Sequence, residues 1–589
     1  MRRRGNGERA EMKFLAPLIK FLGKYRAMLL ISIILSVCGT ILTIIGPKFV
    51  SQIADILSAS FYGDVDLEKV GQIGTLLVVL YSLAFIFSYF QGFMMNTVTQ
   101  RTAYNLRKGI CAKINILPLN YFDNHLIGDV LSRVVNDVDT IGHTLNQSIG
   151  NLFNSTTQFF GVMIIMFATN WVLTLVAFGA AIIGFIFMSV IMKNSQKFFD
   201  QSQQLLGTLN GYAEEMISGQ TIVRAYNAEQ REYDRFNDVN TRYRGTVWKS
   251  MFCGSTMQPI MGFVGNFGYV AVCIVGAVMV AKGSITFGTV VAFMMYIRYF
   301  TAPMQQLGQV FTQLQSAAAA SKRVFAFLDE EELPYDMDKP VLIPYGEAKG
   351  NIVFEHVKFG YNPEKIIIHD FSAEAKAGQK IAIVGPTGAG KTTMVNLLMR
   401  FYELDEGRIT IDGHPISEMR REEVHALFGM VLQDTWLFEG SFKENIKYSK
   451  EATDEQVVEA AKMAGIHHFI MTTADGYDTI LDEEANVSQG QKQLITIARA
   501  MVEDAPFLIL DEATSSVDTR TEHLIQEAMD RLMAGRTSFI IAHRLSTIKN
   551  ADLILVMKDG DIIEQGNHAE LMEQNGFYAD LYNSQFEAV

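Results

Sequence analysis

Cysteine and charged residues are scarce in this 589-residue chain, which has 4 Cys and 19% charged residues. Cys38, Cys111, Cys253 and Cys273 do not stand at metal-ligand spacing, so neither a disulfide framework nor a cysteine-bound metal is indicated. The net charge of −13 disfavours a protein that neutralises a phosphate backbone, and we expect no nucleic-acid partner. No apolar core with a cleavage site follows Arg4, so no signal peptide is expected.

Charge is absent from long stretches of the first half. No Asp, Glu, Lys or Arg occurs in 27–47, 70–100, 140–192 or 250–281, and Arg298 alone interrupts 283–321. A bilayer core needs about 20 apolar residues per helix. The sequence therefore predicts an all-α membrane domain over 27–325, preceded by a cytoplasmic tail and an interfacial helix over 1–26. Its six spans are expected near 27–49, 74–96, 147–168, 171–192, 256–281 and 284–306.

Loop charges indicate how these spans are oriented. The loop after the first span is mostly acidic and is expected outside the cell, whereas 193–249 is rich in Lys and Arg and is expected in the cytoplasm. This alternation predicts a multi-pass protein of the cell membrane, surrounded by lipid, with both termini in the cytoplasm. The segments 101–146 and 193–250 predict long cytoplasmic helix extensions, with breaks at Pro118–Asp129 and Gly211–Gly219.

Polar residues inside the spans leave two interpretations open. Asn154 and its polar neighbours in the third span could line a cavity, or they could hydrogen-bond to neighbouring helices. Arg298 is an intramembrane charge, which by default suggests a functional position.

The second half begins after a charged, Pro-bearing linker over 326–349, and its alternating strands and helices predict an α/β domain over 350–589. Its clearest motif follows the apolar run Ile381–Val384 and fits the phosphate-loop pattern G-x-x-x-x-G-K-[ST]. Backbone N–H groups of such a loop, together with the positive end of the next helix, bind phosphates. A chance Gly-rich turn is disfavoured by the strand before the motif and the helix after it. The candidate ATP-binding residues here are Gly385, Pro386, Thr387, Gly388, Ala389, Gly390, Lys391, Thr392 and Thr393.

Individual residues of this domain suggest phosphate chemistry. Lys391 would reach the β- and γ-phosphates, and the Thr392 hydroxyl would bind Mg²⁺. Asp511 closes a buried strand and would also bind Mg²⁺, whereas Glu512 would orient or deprotonate the attacking water. His543 ends another strand, and we favour a γ-phosphate contact for it over a structural role.

Val487–Gln491 resembles the signature sequence Leu-Ser-Gly-Gly-Gln of the ABC transporter ATPases and lies, as in that family, between the phosphate loop and Asp511. Six spans followed by one ATPase domain resemble an ABC exporter half-transporter, which implies ATP and Mg²⁺ as cofactors. The resemblance implies that both breaks are coupling helices that dock on ATPase domains. It also implies a signature that acts on the partner's nucleotide, formed by Ser488, Gln489, Gly490 and Gln491. The other implied roles are adenine stacking for Tyr361, a Q-loop glutamine that also serves Mg²⁺ for Gln433, a D-loop aspartate for Asp518 and a switch histidine for His543.

Two signature residues depart from the family pattern: Val487 replaces Leu, and Gln489 replaces Gly. A bulkier residue at 489 weakens the approach to the partner's γ-phosphate. We therefore favour a heterodimer with a second half-transporter subunit, and a homodimer stays open. The expected function is ATP-driven export of an amphiphilic or hydrophobic substrate (drug, lipid or peptide) by alternating access. The alternative is a membrane-anchored ABC ATPase that gates or regulates a channel.

Overall fold

A computed structural model of the chain describes residues 13–60, 64–344, 346–362, 365–433, 435–448, 450–481, 487–511, 518–541 and 548–586. Glu512 and His543 lie outside these ranges. The chain divides into two compact units. One comprises Met1–Asn115 and Ile127–Glu330, and the other comprises Ile116–Leu126 and Glu331–Val589.

The first unit is built from long helices. Its helices are α1 Leu15–Phe21, α2 Arg26–Ala59, α3 Leu67–Ile114, α5 Ile127–Ser132, α6 Val138–Thr169, α7 Trp171–Ser218, α8 Gln220–Ala225, α9 Glu229–Ala281 and α10 Phe287–Leu328. The short helix α4, Leu119–Asn124, lies between α3 and α5 in sequence but belongs to the second unit. The 48 residues of α3 span about 70 Å at 1.5 Å per residue, more than twice a bilayer core. The predicted helical domain with long extensions is therefore confirmed.

Five helical stretches of the described chain are long and apolar enough to cross a membrane: Leu15–Ala59, Leu67–Ile114, Ile127–Thr169, Trp171–Ser218 and Gly262–Ala281. The helix α10, which carries the sixth predicted span, is not among these five. Its sequence includes Arg298 and a glutamine-rich continuation, with Gln306 and Gln309, which lowers its apolar character.

The two predicted breaks have different outcomes. The first contains the short helix α4, for which Pro118 is the N-terminal flanking residue. The second was predicted at Gly211–Gly219 and occurs only at the last residue of that range, because α7 continues to Ser218 and the short helix α8 begins after Gly219. A break at Gly211 is therefore wrong. One internal glycine costs a helix only about 1 kcal/mol relative to alanine, and helix-forming residues surround Gly211.

Polar side chains of α6 connect it to neighbouring helices. The Asn154 Oδ1 atom accepts hydrogen bonds from the Ser36 and Thr40 hydroxyls of α2. The Ser155 hydroxyl donates to Gln306 Oε1 of α10 at 2.7 Å. For Asn154, these contacts support the helix-association interpretation.

The second unit is an α/β domain with a six-stranded sheet in the order β12-β11-β3-β10-β9-β6 and a four-stranded sheet in the order β2-β1-β4-β5. The strands are β1 Ile352–Phe359, β2 Ile368–Ala375, β3 Lys380–Val384, β4 Glu406–Ile411, β5 His414–Pro415, β6 Phe428–Val431, β7 Gly440–Ser441, β8 Ile480–Leu481, β9 Phe507–Asp511, β10 Thr537–Ile541, β11 Leu553–Lys558 and β12 Asp561–Gly566. The helices are α11 Lys391–Leu398, α12 Arg421–Ala426, α13 Phe442–Lys447, α14 Asp454–Met463, α15 His467–Thr472, α16 Gln489–Glu503, α17 Thr519–Met533, α18 His568–Gln574 and α19 Phe577–Phe586.

Apolar residues cover both faces of the six-stranded sheet. Residues of α16 and α17 pack with Leu508 and Leu510 of β9 on one face. On the other face, Ile509 joins a core shared with α11 and the four-stranded sheet. Strands buried on both faces are typical of parallel sheets, and they hold the strand ends in fixed positions.

Candidate functional site

Five parallel strands, β11, β3, β10, β9 and β6, end at the same edge of the six-stranded sheet. In β10, Ile541 pairs with Ile383 of β3 on one side and with Asp511 of β9 on the other. In β6, Val431 pairs with Leu510. Because ligands of open α/β sheets bind at the carboxyl ends of the strands, this edge is the candidate site. The fold thus brings the phosphate loop, Asp511 and the segment after β6 to one edge.

The phosphate loop connects β3 to α11 through backbone that requires glycine. A Cβ atom on Gly385 would collide with the carbonyl oxygen of Met557, and Gly390 has φ +99° directly before α11. Glycine adopts such conformations without steric cost. The first turn of α11 contains no acidic residue, so its positive end is not neutralised locally. This loop has the geometry of an anion site.

Lys391 is buried beneath this loop. Its Nζ atom donates hydrogen bonds to the carbonyl oxygens of Gly385 at 2.7 Å and Pro386 at 3.0 Å. Burial lowers the pKa of Lys391, and the negative charge of Asp511 opposes that shift. The ammonium group is therefore fixed close to the loop and within the field of the carboxylate.

Asp511, Thr392 and Gln433 supply only oxygen ligands, of the kind that Mg²⁺ prefers. The Oδ1 atom of Asp511 is buried, whereas Thr392 is exposed at the second position of α11. Gln433 is exposed two residues beyond β6. Carboxylate, hydroxyl and amide donors at this edge fit a magnesium ion.

Tyr361 is held beside α11 by its hydroxyl group and by aromatic contacts. The hydroxyl donates to Thr393 Oγ1 at 3.3 Å and accepts from Asn396 Nδ2 at 3.1 Å. Edge-on contacts with Phe359 and Tyr402, both at 5.0 Å between ring centroids, fix the ring plane. Tyr361 remains 38% exposed, which leaves surface on which a base could stack.

The signature residues begin α16 and cap it. The Ser488 hydroxyl accepts a hydrogen bond from the Gln491 backbone N–H at 3.3 Å, and Gln491 Oε1 accepts from the Ser488 N–H at 2.8 Å. This capping box satisfies two backbone donors, and Gly490 is buried within the first turn. The Gln489 Nε2 atom donates to Thr435 Oγ1 at 3.0 Å. The signature is thus rigid at Ser488 and tied to another segment at Gln489.

Asp518 is the N-cap of α17. Its carboxylate accepts hydrogen bonds from the backbone N–H groups of Arg520 at 3.1 Å and Thr521 at 3.0 Å. A hydrogen bond from the Thr521 side chain, followed by the bond from its backbone N–H, lowers the pKa of Asp518. Glu512 and His543 belong to the same predicted set but lie outside the described residues.

Sequence patterns did not indicate a group of charged and aromatic residues just after α11. Arg400 is 5% exposed and pairs with Asp336, and Tyr402 contacts Tyr361. Their position after the phosphate-loop helix was the only signal in the sequence that could have drawn attention to them.

Comparison with known proteins gives the same organisation. The family model described as ABC transporter transmembrane region matches residues 29–304, and the model described as ABC transporter matches residues 368–515. The chain is 40% identical to the fatty acid ABC transporter ATP-binding/permease protein of Mycobacterium bovis, over 96% of this chain and 95% of that protein. It is 35% identical to the ATP-dependent lipid A-core flippase of Syntrophus aciditrophicus, over 89% of this chain and 87% of that protein.

A solved structure agrees with this fold. The structure of a bacterial Atm1-family ABC exporter with ATP bound matches with a TM-score of 0.74 and 28% identity, over 95% of this chain and 98% of that chain. The chain belongs to the ABC transporter family. It is an exporter-type half-transporter, in which a helical membrane domain precedes one ATP-hydrolysing domain.

Proposed function

We propose that this protein exports a lipid-like amphiphile with a hydrophobic chain, by alternating access driven by ATP, as half of a dimer. The observation that carries the proposal is a cavity of about 510 Å³ between α6, α7 and α10 in the membrane unit. It is lined by Phe159, Phe178, Ala181, Ile182, Ile186, Ser189, Val190, Phe300 and Met304. Among the described residues that line it, only Ser189 is polar, so the cavity suits a hydrocarbon chain more than a charged group.

The aromatic rings make this cavity a defined site. Phe300 lies 5.0 Å from Phe159 and 4.8 Å from Phe178, measured between ring centroids. Rings in such contact keep their orientation and supply a large apolar surface. The names of two relatives, a fatty acid transporter and a lipid A-core flippase, support a substrate with an acyl chain.

At the nucleotide site, Lys391 and the phosphate-loop amides would hold the phosphates, and Tyr361 would stack on the adenine. Thr392, Asp511 and Gln433 would hold Mg²⁺, which neutralises phosphate charge when bound. Glu512 would orient and deprotonate the attacking water, and His543 would contact the γ-phosphate. Glu512→Gln is expected to retain ATP binding and to lose nearly all turnover. Hydrolysis at the wild-type rate would refute the assignment of the base.

Each nucleotide would lie between the phosphate loop of one chain and the signature of the other. Gln489 occupies a glycine position of that signature, which favours a heterodimer whose partner supplies the more usual motif. With both termini in the cytoplasm, ATP would close the two ATPase domains, and the helix extensions would carry that closure to the membrane helices.

The export proposal can be tested in proteoliposomes with palmitic acid and a fluorescent phospholipid as probes. Both are expected to stimulate ATP hydrolysis, and Ala181→Trp, which fills the cavity, is expected to abolish that stimulation. The matched control is Ala281→Trp, at an exposed position of α9. Stimulation by a cationic drug alone would contradict the acyl-chain proposal, and nucleotide-gated currents without transport would favour the channel alternative.

A further inference from the structure

Two segments that lead to the membrane helices meet at the residues directly after the phosphate-loop helix α11. One is Ile116–Leu126, which connects α3 to α5 in sequence and belongs to the ATPase unit by its contacts. The other is the segment 331–343 that follows α10. The Leu333 N–H donates to the Ile116 carbonyl oxygen at 2.9 Å, so the two segments are joined to each other.

Tyr402 contacts both the segment Ile116–Leu126 and Tyr361, the residue proposed to stack on the adenine. Its hydroxyl donates a hydrogen bond to the Asp123 carboxylate of α4. Its ring lies 5.0 Å from the Tyr361 ring, at an interplanar angle of 88°. Burial, followed by the bond to Asp123, raises the pKa of Tyr402, so its hydroxyl keeps its proton and acts as the donor.

Arg400, two residues earlier, holds the second segment. Its guanidinium lies 3.6 Å from Asp336 and donates to the Met419 carbonyl oxygen at 2.7 Å. Asp336 also accepts from Arg421 at 3.0 Å. The side chains of Arg400 and Asp336 are 5% and 11% exposed, so this anchor is desolvated and rigid.

Tyr402 therefore differs from Arg400 in what it connects. Arg400 fixes a segment to the domain through charged groups that do not touch the nucleotide site. Tyr402 forms a continuous path from the ring that would stack on the base, through its own ring and hydroxyl, to α4. Such a path can shift the conformation of α4 only if the contacts of Tyr402 differ between the nucleotide-free and the nucleotide-bound protein. The coupling can therefore be tested by comparing α4 in these two states.

We propose that Tyr402 is a positioning residue that couples nucleotide binding at Tyr361 to the segment Ile116–Leu126, through its hydrogen bond to Asp123. The proposal rests on the proposed role of Tyr361 in ATP binding and deepens the coupling step of export. When a base stacks on Tyr361, the ring contact orders Tyr402, and the hydroxyl then holds α4 in one position. Without the hydroxyl, the nucleotide can still bind, but α4 does not respond.

The test is hydrogen exchange of the full chain in lipid nanodiscs, with and without the non-hydrolysable analogue AMP-PNP and Mg²⁺. In the wild-type protein, the nucleotide is expected to slow amide exchange in 116–126 by about fivefold or more. Tyr402→Phe, which keeps the ring, is expected to lose most of that protection while retaining AMP-PNP affinity. Tyr335→Phe removes a hydroxyl from a tyrosine that is 78% exposed, and it should behave as wild type.

Variants of the acceptor separate coupling from folding. Asp123→Asn keeps an acceptor oxygen and should retain the protection, whereas Asp123→Ala should lose it and add nothing to Tyr402→Phe. Full nucleotide-dependent protection in Tyr402→Phe would overturn the proposal, and so would its absence in the wild type. Because no transported substrate is used, failure of the export proposal would leave this result unchanged.

Discussion

The Gln489 side chain of the signature donates a 3.0 Å hydrogen bond to Thr435, which lies 54 positions earlier in the chain. Thr435 stands two residues after Gln433, in the segment that follows β6. The residue that departs from the family's glycine is thus held against the segment that would sense this chain's own nucleotide. Glutamine in place of glycine at position 489 therefore has two effects, added side-chain volume and a hydrogen bond to Thr435, and different variants can test each of them.

Gln489→Gly is expected to raise the ATP hydrolysis rate of the purified chain several-fold. The reason is that glycine removes the bulk that limits approach to the nucleotide bound by the other chain. The measurement is the basal ATPase rate in lipid, with the oligomeric state recorded. Thr435→Val frees the glutamine without removing it and should give no increase. An unchanged rate in Gln489→Gly would mean that the glutamine is tolerated, and it would favour a homodimer.

The local parts of the candidate site were predictable from sequence, and its long-range parts were not. The run Ile381–Val384 followed by Gly385 predicts a strand and a phosphate loop, because turn chemistry and hydrophobic pattern act over neighbouring residues. The bond between Tyr402 and Asp123 joins positions 279 apart, and no local pattern encodes it. The second break lies at Gly219 and not already at Gly211, because helix propensity around Gly211 outweighs one glycine.

Gly385→Ala is expected to abolish ATP binding and to lower the thermal midpoint of the full chain. An added Cβ would collide with the Met557 carbonyl oxygen, which belongs to strand backbone and cannot move aside. The comparison is Gly378→Ala, where φ is +74° but no atom lies within 4 Å of the added Cβ. That control should cost only the left-handed penalty, about 1 kcal/mol, and should retain ATP binding. If both variants lost ATP binding and thermal stability equally, backbone conformation alone, and not the collision with Met557, would explain why glycine is required at position 385.

Asp336→Ala is expected to destabilise the ATPase unit by about 3 kcal/mol, because it leaves a buried part of the Arg400 and Arg421 charge uncompensated. Calorimetry of the purified full chain measures the loss as a lower unfolding midpoint. Asp338→Ala, at an exposed position of the same segment, is the matched control and should change the midpoint little. Glu403 also pairs with Arg400 at 3.0 Å and with Arg421 at 2.5 Å, so a midpoint unchanged by Asp336→Ala would show that Glu403 alone neutralises the two arginines.

His425 predicts a pH dependence of stability in the same region. Its Nε2 atom lies 3.0 Å from the Met399 carbonyl oxygen, and its ring packs edge-on against Phe401. Burial is the main cause that lowers the pKa of His425 below its ordinary 6.5, and the positive charges of Arg421 and Arg400 lower it further. The folded protein therefore keeps this imidazole neutral at pH values where the unfolded chain would protonate it.

The sign of the effect follows from that difference in proton binding. Above pH 6.5 neither state is mostly protonated, and His425 imposes no penalty. As the pH falls below 6.5, the unfolded chain takes up a proton that the folded chain rejects, so stability is lost. His425→Gln keeps a donor toward Met399 but does not titrate. The drop in the unfolding midpoint between about pH 8 and about pH 5 should therefore be smaller in this variant than in the wild type. The side chain of His523 is 78% exposed, so His523→Gln should retain the full drop in midpoint. If His523→Gln reduced the drop as much as His425→Gln does, the pH dependence would not come from His425.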